Sequence, residues 1–222
     1  MILGKNAVLV CFGDSITQGD ETGGYVELLR NFLKAGYPER NIRVVNAGIG
    51  GNRTPDLLAR LEKDVIARKP NAVLINIGVN DVGWGFDEFN PRREHPNGDG
   101  PLGVSLPAYE ANLSEIADRL REGCDAEIIF ATPTVLGEDI DNPDSLRNIR
   151  LKDYVAAMRR VAEAKGAVIA PTHEQFTATI RAGKSVNPDF HLTTDGVHMT
   201  PAGNAVLALT ILETLGFGGL GG

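Results

Sequence analysis

Only two cysteines, Cys11 and Cys124, occur in the 222 residues, so the chain has neither a disulfide framework nor a cysteine-based metal spacing. A reducing, cytoplasmic setting is the expectation. Basic charge is also scarce. Against 29 Asp and Glu stand 22 Lys and Arg, a formal net charge of −7 that repels phosphate backbones and argues against a nucleic-acid partner. The pairs Arg92-Arg93 and Arg159-Arg160 are short, flanked by Glu94 and Glu163, and read as solvated surface. No apolar run approaches the ~18 residues that a membrane span requires. Residues 1–12 run straight into Gly13-Asp14 without a small-residue cleavage site, so no secretory leader is expected. There is no three-residue glycine period and no internal repeat, which excludes collagen-like and solenoid architectures.

What is present is globular: 42% hydrophobic and 23% charged residues, enough for a real core. Glycine alone is in surplus, with 26 residues where an average chain has about 7%. Runs rich in Val, Ile and Leu recur at 7–12, 42–46, 72–77, 127–131 and 167–170. Between them lie helical stripes such as Leu57, Leu58, Leu61 and Val65, then Leu113, Ile116, Ala117 and Leu120, then Val155, Met158, Val161 and Ala162. That alternation predicts βαβ units, and near-continuous apolar strands are those covered on both faces. The expectation is one α/β domain over 1–216, a three-layer α/β/α sandwich on a five-stranded parallel sheet. Thr200-Pro201 predicts an N-cap and first helical position for a last helix running to about Leu215, with Gly216 as its stop and 217–222 as a flexible tail.

Residues 83–107 break the rhythm with Gly, Pro, Asn and Asp and no periodicity, which predicts a long loop or lid. It carries Trp84, Phe86 and Phe89; these either line a substrate cleft or pin a surface loop through their own apolar cluster. Two phosphate-loop matches fail on context. Gly183-Lys184-Ser185 lacks the earlier glycine, since Ala178 stands there, and 216–221 has no helix after it. His191, Asp195 and His198 offer no firm third ligand, so no metal is expected.

Four blocks remain, each after a strand end or in a late loop: Gly13-Asp14-Ser15, then Gly48-Ile49-Gly50-Gly51-Asn52, Gly78-Val79-Asn80-Asp81 and Asp195-Gly196-Val197-His198. Open α/β sheets build their sites at such strand ends. The first block is not a G-x-S-x-G elbow, because Thr17 stands where the second glycine would be. In kind and order the four blocks resemble those of the SGNH (GDSL) hydrolase superfamily, and they extend from Gly13 to His198. The resemblance implies a flavodoxin-like SGNH hydrolase fold and a serine esterase that needs no cofactor. Ser15 would be the nucleophile, His198 its base and Asp195 the group orienting the imidazole. The N–H groups of Ser15 and Gly51 and the side-chain amide of Asn80 would form the oxyanion hole, with Asp14, Trp84 and Phe86 as candidate substrate contacts.

The chemistry is consistent with those assignments. A serine hydroxyl needs a base to become nucleophilic, and histidine, with an ordinary pKa near 6.5, suits that task. A spacing of three residues lets one loop deliver both Asp195 and His198. The stretches Leu106-Pro107-Ala108-Tyr109, Ala131-Thr132-Pro133-Thr134 and 195–204 are similar to the isoamyl-acetate-hydrolysing esterase branch. That similarity implies a small-molecule substrate carrying a short acyl group, acetyl in particular, on a small alcohol or sugar. Lysophospholipase or thioesterase activity, and a non-catalytic α/β binding module, are the alternatives.

Overall fold

Five apolar runs form five parallel strands: β1 Val8–Gly13, β2 Arg43–Gly48, β3 Ala72–Asn76, β4 Glu127–Ala131 and β5 Val168–Ala170, in the order β2-β1-β3-β4-β5. The computed structural model describes residues 1–21, 23–83 and 103–218. Every residue of β3 is buried, as are five of the six in β1, which explains why neither strand alternates polar with apolar. Burying each such Val, Leu, Ile or Phe side chain contributes about 1.5–3 kcal/mol.

The helices are α1 Ser15–Gln18, α2 Tyr25–Gly36, α3 Thr54–Asp64, α4 Val79–Val82, α5 Leu106–Gly123, α6 Leu146–Lys165, α7 Thr172–Val186 and α8 Pro201–Thr214. The chain steps one way from β1 to β2 and the other way from β2 to β3, so right-handed crossovers put α2 and α3 on opposite faces. On one face α3 packs against α5 and α5 against α6; on the other α2 packs against α8 and α8 against α7. Three layers result, with the topological switch between β1 and β3. Among the described residues no helix is long and apolar enough to cross a membrane.

Two expected boundaries are corrected. The segment expected as a loop over 83–107 ends earlier, because Ser105 caps α5 by accepting from the Ala108 N–H, and Pro107 lies within the first turn, where its missing N–H costs nothing. The tail expected from 217 does not start there. Phe217 is fully buried, edge-on to Tyr37 at 4.9 Å between ring centroids, and its N–H donates to Leu212 O. Residues 84–102, including Trp84, Phe86 and Phe89, and residues 219–222 lie outside the described residues. At the last helix, Thr200 Oγ1 accepts from the Gly203 N–H at 3.1 Å, as the sequence predicts.

Candidate active site

Ser15 opens α1 immediately past the carboxyl end of β1, in the crevice at the β1/β3 switch. Asp14 makes the turn: it is the N-cap of α1, its Oδ1 accepting from the Ile16 N–H at 2.9 Å. The short helix is braced from behind. Thr17 Oγ1 shares a 3.0 Å hydrogen bond with the Tyr25 hydroxyl, and the Tyr25 N–H donates to Asn204 Oδ1 at 3.0 Å, so α2 and α8 both anchor it. Gly48 permits the closest approach. A Cβ there would lie 2.2 Å from the Gln18 N and 2.5 Å from the Thr17 carbonyl carbon, inside the α1 backbone.

A loop 183 residues away supplies the partner. The His198 Nε2 lies 3.0 Å from Ser15 Oγ, and its Nδ1 lies 2.7 Å from Asp195 Oδ2. With the carboxylate ionised, Nδ1 carries the ring proton and Nε2 is the acceptor facing the serine hydroxyl. Asp195 is held in place by its other oxygen, which accepts from the N–H groups of Val197 at 2.9 Å and His198 at 2.8 Å. Partial burial pushes the Asp195 carboxyl up, but these bonds and the imidazole outweigh it and hold the group below the usual carboxylate range. The loop itself is closed by the Thr194 N–H donating to His198 O and by the Gly137 N–H donating to Gly196 O, both at 2.8 Å. Glu138 Oε1 adds three more bonds, from the N–H groups of Leu192 and Thr193 and from Thr193 Oγ1.

The other two blocks converge beside the serine. Gly51 has φ +77, a conformation that L side chains rarely adopt, so its role in the turn requires glycine. Asn80 lies in α4; its Nδ2 donates to Asn52 O at 3.0 Å and makes a long 3.5 Å contact with Asp14 Oδ2. Asp14 itself is fully buried, facing the Asn80 amide rather than solvent. Burial pushes its carboxyl up to about 7; the Ile16 N–H pulls the other way and the neighbouring Asp81 adds to the rise. Asp81 is likewise pushed up by burial, to about 6, against the bonds it accepts from Thr54 N at 2.9 Å and Thr54 Oγ1 at 2.6 Å.

The raised Asp14 value has a direct consequence for stability. Because the folded-state value lies above the ordinary 3.8, protonated Asp14 favours the fold below about pH 4, and that contribution is lost as the pH rises through about 7. Asp14→Asn keeps an oxygen for the Ile16 N–H and has no charge to bury. Its melting temperature relative to the parent should therefore climb between pH 4 and pH 8, read by scanning calorimetry. A difference that stays constant over that range would contradict the assignment.

Glu138 and Arg60, which hold the site from behind, lie outside the four sequence blocks, and Asn52 ends the second block with no role assigned to it there. Each acts through bonds to segments far along the chain, for which a linear pattern carries no signal. His191 and His198 diverge: His191 Nδ1 lies 3.5 Å from Glu138 Oε2, whereas His198 faces Ser15. Among the described residues no group of three or more His, Cys, Asp or Glu gathers around one metal position.

A Ser–His–Asp relay at the carboxyl edge of a parallel sheet, beside a glycine turn and an asparagine amide, is the constellation of an ester hydrolase. The chain belongs to the GDSL-like lipase/acylhydrolase family, whose model matches residues 11–206, and it is a carboxylic ester hydrolase. It is 33% identical to an acetylxylan esterase of Geobacillus stearothermophilus over 98% of this chain and 97% of that protein. The crystal structure of that esterase, Axe2, superposes with a TM-score of 0.81 at 30% identity, covering 98% of each chain. Its catalytic mutants replace a serine, an aspartate, and a histidine three positions after that aspartate. An isoamyl acetate-hydrolyzing esterase 1 homolog of Mus musculus is 28% identical over 93% of this chain and 80% of that protein.

Proposed function

We propose that the protein removes acetyl groups from a sugar or small alcohol through an acyl-enzyme formed on Ser15. The observation that carries this reading is the continuous relay from Ser15 Oγ through His198 to Asp195, with distances of 3.0 and 2.7 Å. Ser15 Oγ attacks the ester carbonyl carbon while His198 Nε2 takes its proton, and Asp195 holds the resulting imidazolium. The carbonyl oxygen becomes an oxyanion faced by the N–H groups of Ser15 and Gly51 and by Asn80 Nδ2. The Ser15 N–H lies in the first turn of α1, where backbone donors have no partner within the helix. Asn80 keeps one amide hydrogen on Asn52 O and, among the described residues, has the long Asp14 contact for the second, which leaves that hydrogen to the oxyanion. The intermediate collapses as His198 returns the proton to the leaving alcohol oxygen. Water, deprotonated by the same nitrogen, then attacks the acyl carbon, and the bond to Ser15 Oγ breaks as His198 returns the proton to that oxygen and acetate leaves.

The acetyl and sugar assignments draw support from the near full-length similarity to an acetylxylan esterase, whose mutated catalytic Asp and His have the same spacing as Asp195 and His198. The test is a series of p-nitrophenyl esters from acetate to palmitate, with acetylated xylooligosaccharides assayed alongside. The kcat/KM should be highest for acetate and fall with chain length, and acetate should be released from the oligosaccharide. A maximum at palmitate would overturn the acetyl assignment in favour of a lipase-like substrate. Turnover of the aryl acetate alone would overturn the sugar.

A further inference from the structure

Arg60 lies in the second half of α3, yet its side chain is only 13% exposed. Its guanidinium carbon sits 4.4 Å from the centroid of the Phe12 ring, a cation–π contact that holds the planar group in one orientation. From there it donates to three acceptors outside its own helix: Nη2 to Gly13 O at 2.8 Å, Nη1 to Ala47 O at 2.8 Å, and Nε to Asn52 Oδ1 at 2.7 Å. Asp64, one turn further along α3, accepts from Nη1 at 3.1 Å and balances the charge.

The acceptors lie on the two segments that carry Ser15 and Gly51, and Asn52 links the second of them to the Asn80 amide. Gly13 ends β1 two residues before Ser15. Ala47 is in β2, four residues before Gly51. Asn52 follows Gly51, and its own carbonyl holds the Asn80 amide at 3.0 Å. A guanidinium presents its N–H groups in a rigid plane, so bonds to these two segments fix their mutual distance in a way that a lysine, a point charge on a flexible stem, does not reproduce.

We propose that Arg60 is the positioning residue of the oxyanion hole, setting the N–H of Ser15, the N–H of Gly51 and the amide of Asn80 at one spacing without touching the substrate. The proposal rests on the reading that those three donors face the oxyanion. Preorganised donors act only if they already stand where charge develops, and a displacement of about 1 Å costs roughly a hundredfold in rate. The competing role is simple satisfaction of strand-end carbonyls, which affects stability and not turnover.

The test uses Arg60→Lys, Arg60→Met and Asn52→Ala. Turnover of p-nitrophenyl acetate is expressed per titrated serine, and inhibition is measured with an alkyl trifluoromethyl ketone, whose serine adduct places an oxyanion in the hole. In Arg60→Lys, kcat should fall by about 10- to 100-fold with KM nearly unchanged, and affinity for the ketone should fall by the same factor as kcat/KM. Asn52→Ala removes a single acceptor and should lose less. Combined with Arg60→Lys it should lose less than the product of the two single effects. If Arg60→Met does not fold, Arg60→Lys and Asn52→Ala still decide the matter. A lowered melting temperature with undiminished kcat per titrated site would overturn the proposal and leave Arg60 a structural residue. Full activity in Ser15→Ala would overturn the reading of the site and this proposal with it. Loss in Ser15→Ala and Asn80→Ala, beside normal turnover in Arg60→Lys, would overturn the proposal alone.

Discussion

Ser15→Ala is expected to lower kcat for p-nitrophenyl acetate by about 10⁴-fold or more, because the acyl-enzyme can no longer form and only water activated by His198 remains. The fold should barely register the change. Among the described residues the serine hydroxyl makes one hydrogen bond, to His198 Nε2, and losing a bond of that kind costs about 1 kcal/mol. Initial rates and a calorimetric melt on the same preparation separate the two effects. His198→Ala should fall to a similar floor, and the double variant should be no slower than either single one, since the two residues act as one unit. Additive losses would mean that serine and histidine act in separate steps and would break the relay described here.

Asn80→Ala should lower kcat by about 10²- to 10³-fold, the range for removing one oxyanion donor. The KM should move little, because the donor is needed where charge develops and not on the resting ester. The substitution also takes from Asn52 O the donor it now has, so a stability loss of about 1–3 kcal/mol should accompany the kinetic one. Asn80→Asp is the sharper control. It has the same shape but puts a second carboxyl beside the buried carboxyl of Asp14, and it should be slower than Asn80→Ala at neutral pH. A variant at this position that kept kcat while KM rose would mark Asn80 as a ground-state contact.

Much of this architecture is legible in the sequence. Strands buried on both faces must be apolar throughout, so 7–12 and 72–77 announce β1 and β3 to within a residue or two. The Thr200-Pro201 start of α8 is chemically explicit as well. The first turn of α6 is not: Leu146 and Ile149 are exposed there, so the core-facing stripe begins only at Leu151. Phe217 misleads in the other direction, because a glycine-rich end suggests a loose tail while the aromatic docks against Tyr37. Within the site, the blocks announce the residues that the structure brings together, Ser15, His198 and Asp195 with Asn80 nearby, since their chemistry is specific to residue type. The residues behind them stay hidden. An arginine on a helix reads as a solvated charge, and nothing local reveals that Arg60 bonds a carbonyl 47 residues earlier.

The relay joins Ser15 to His198 across 183 residues, so the reactive pair is among the most sequence-distant contacts in the molecule. Closing so long a loop is entropically costly, and folds rich in such non-local contacts fold slowly. A chain emerging from the ribosome therefore holds its serine long before its base. On the proposed mechanism catalysis requires the loop bearing His198 to be docked, so recovered esterase activity would report that docking step.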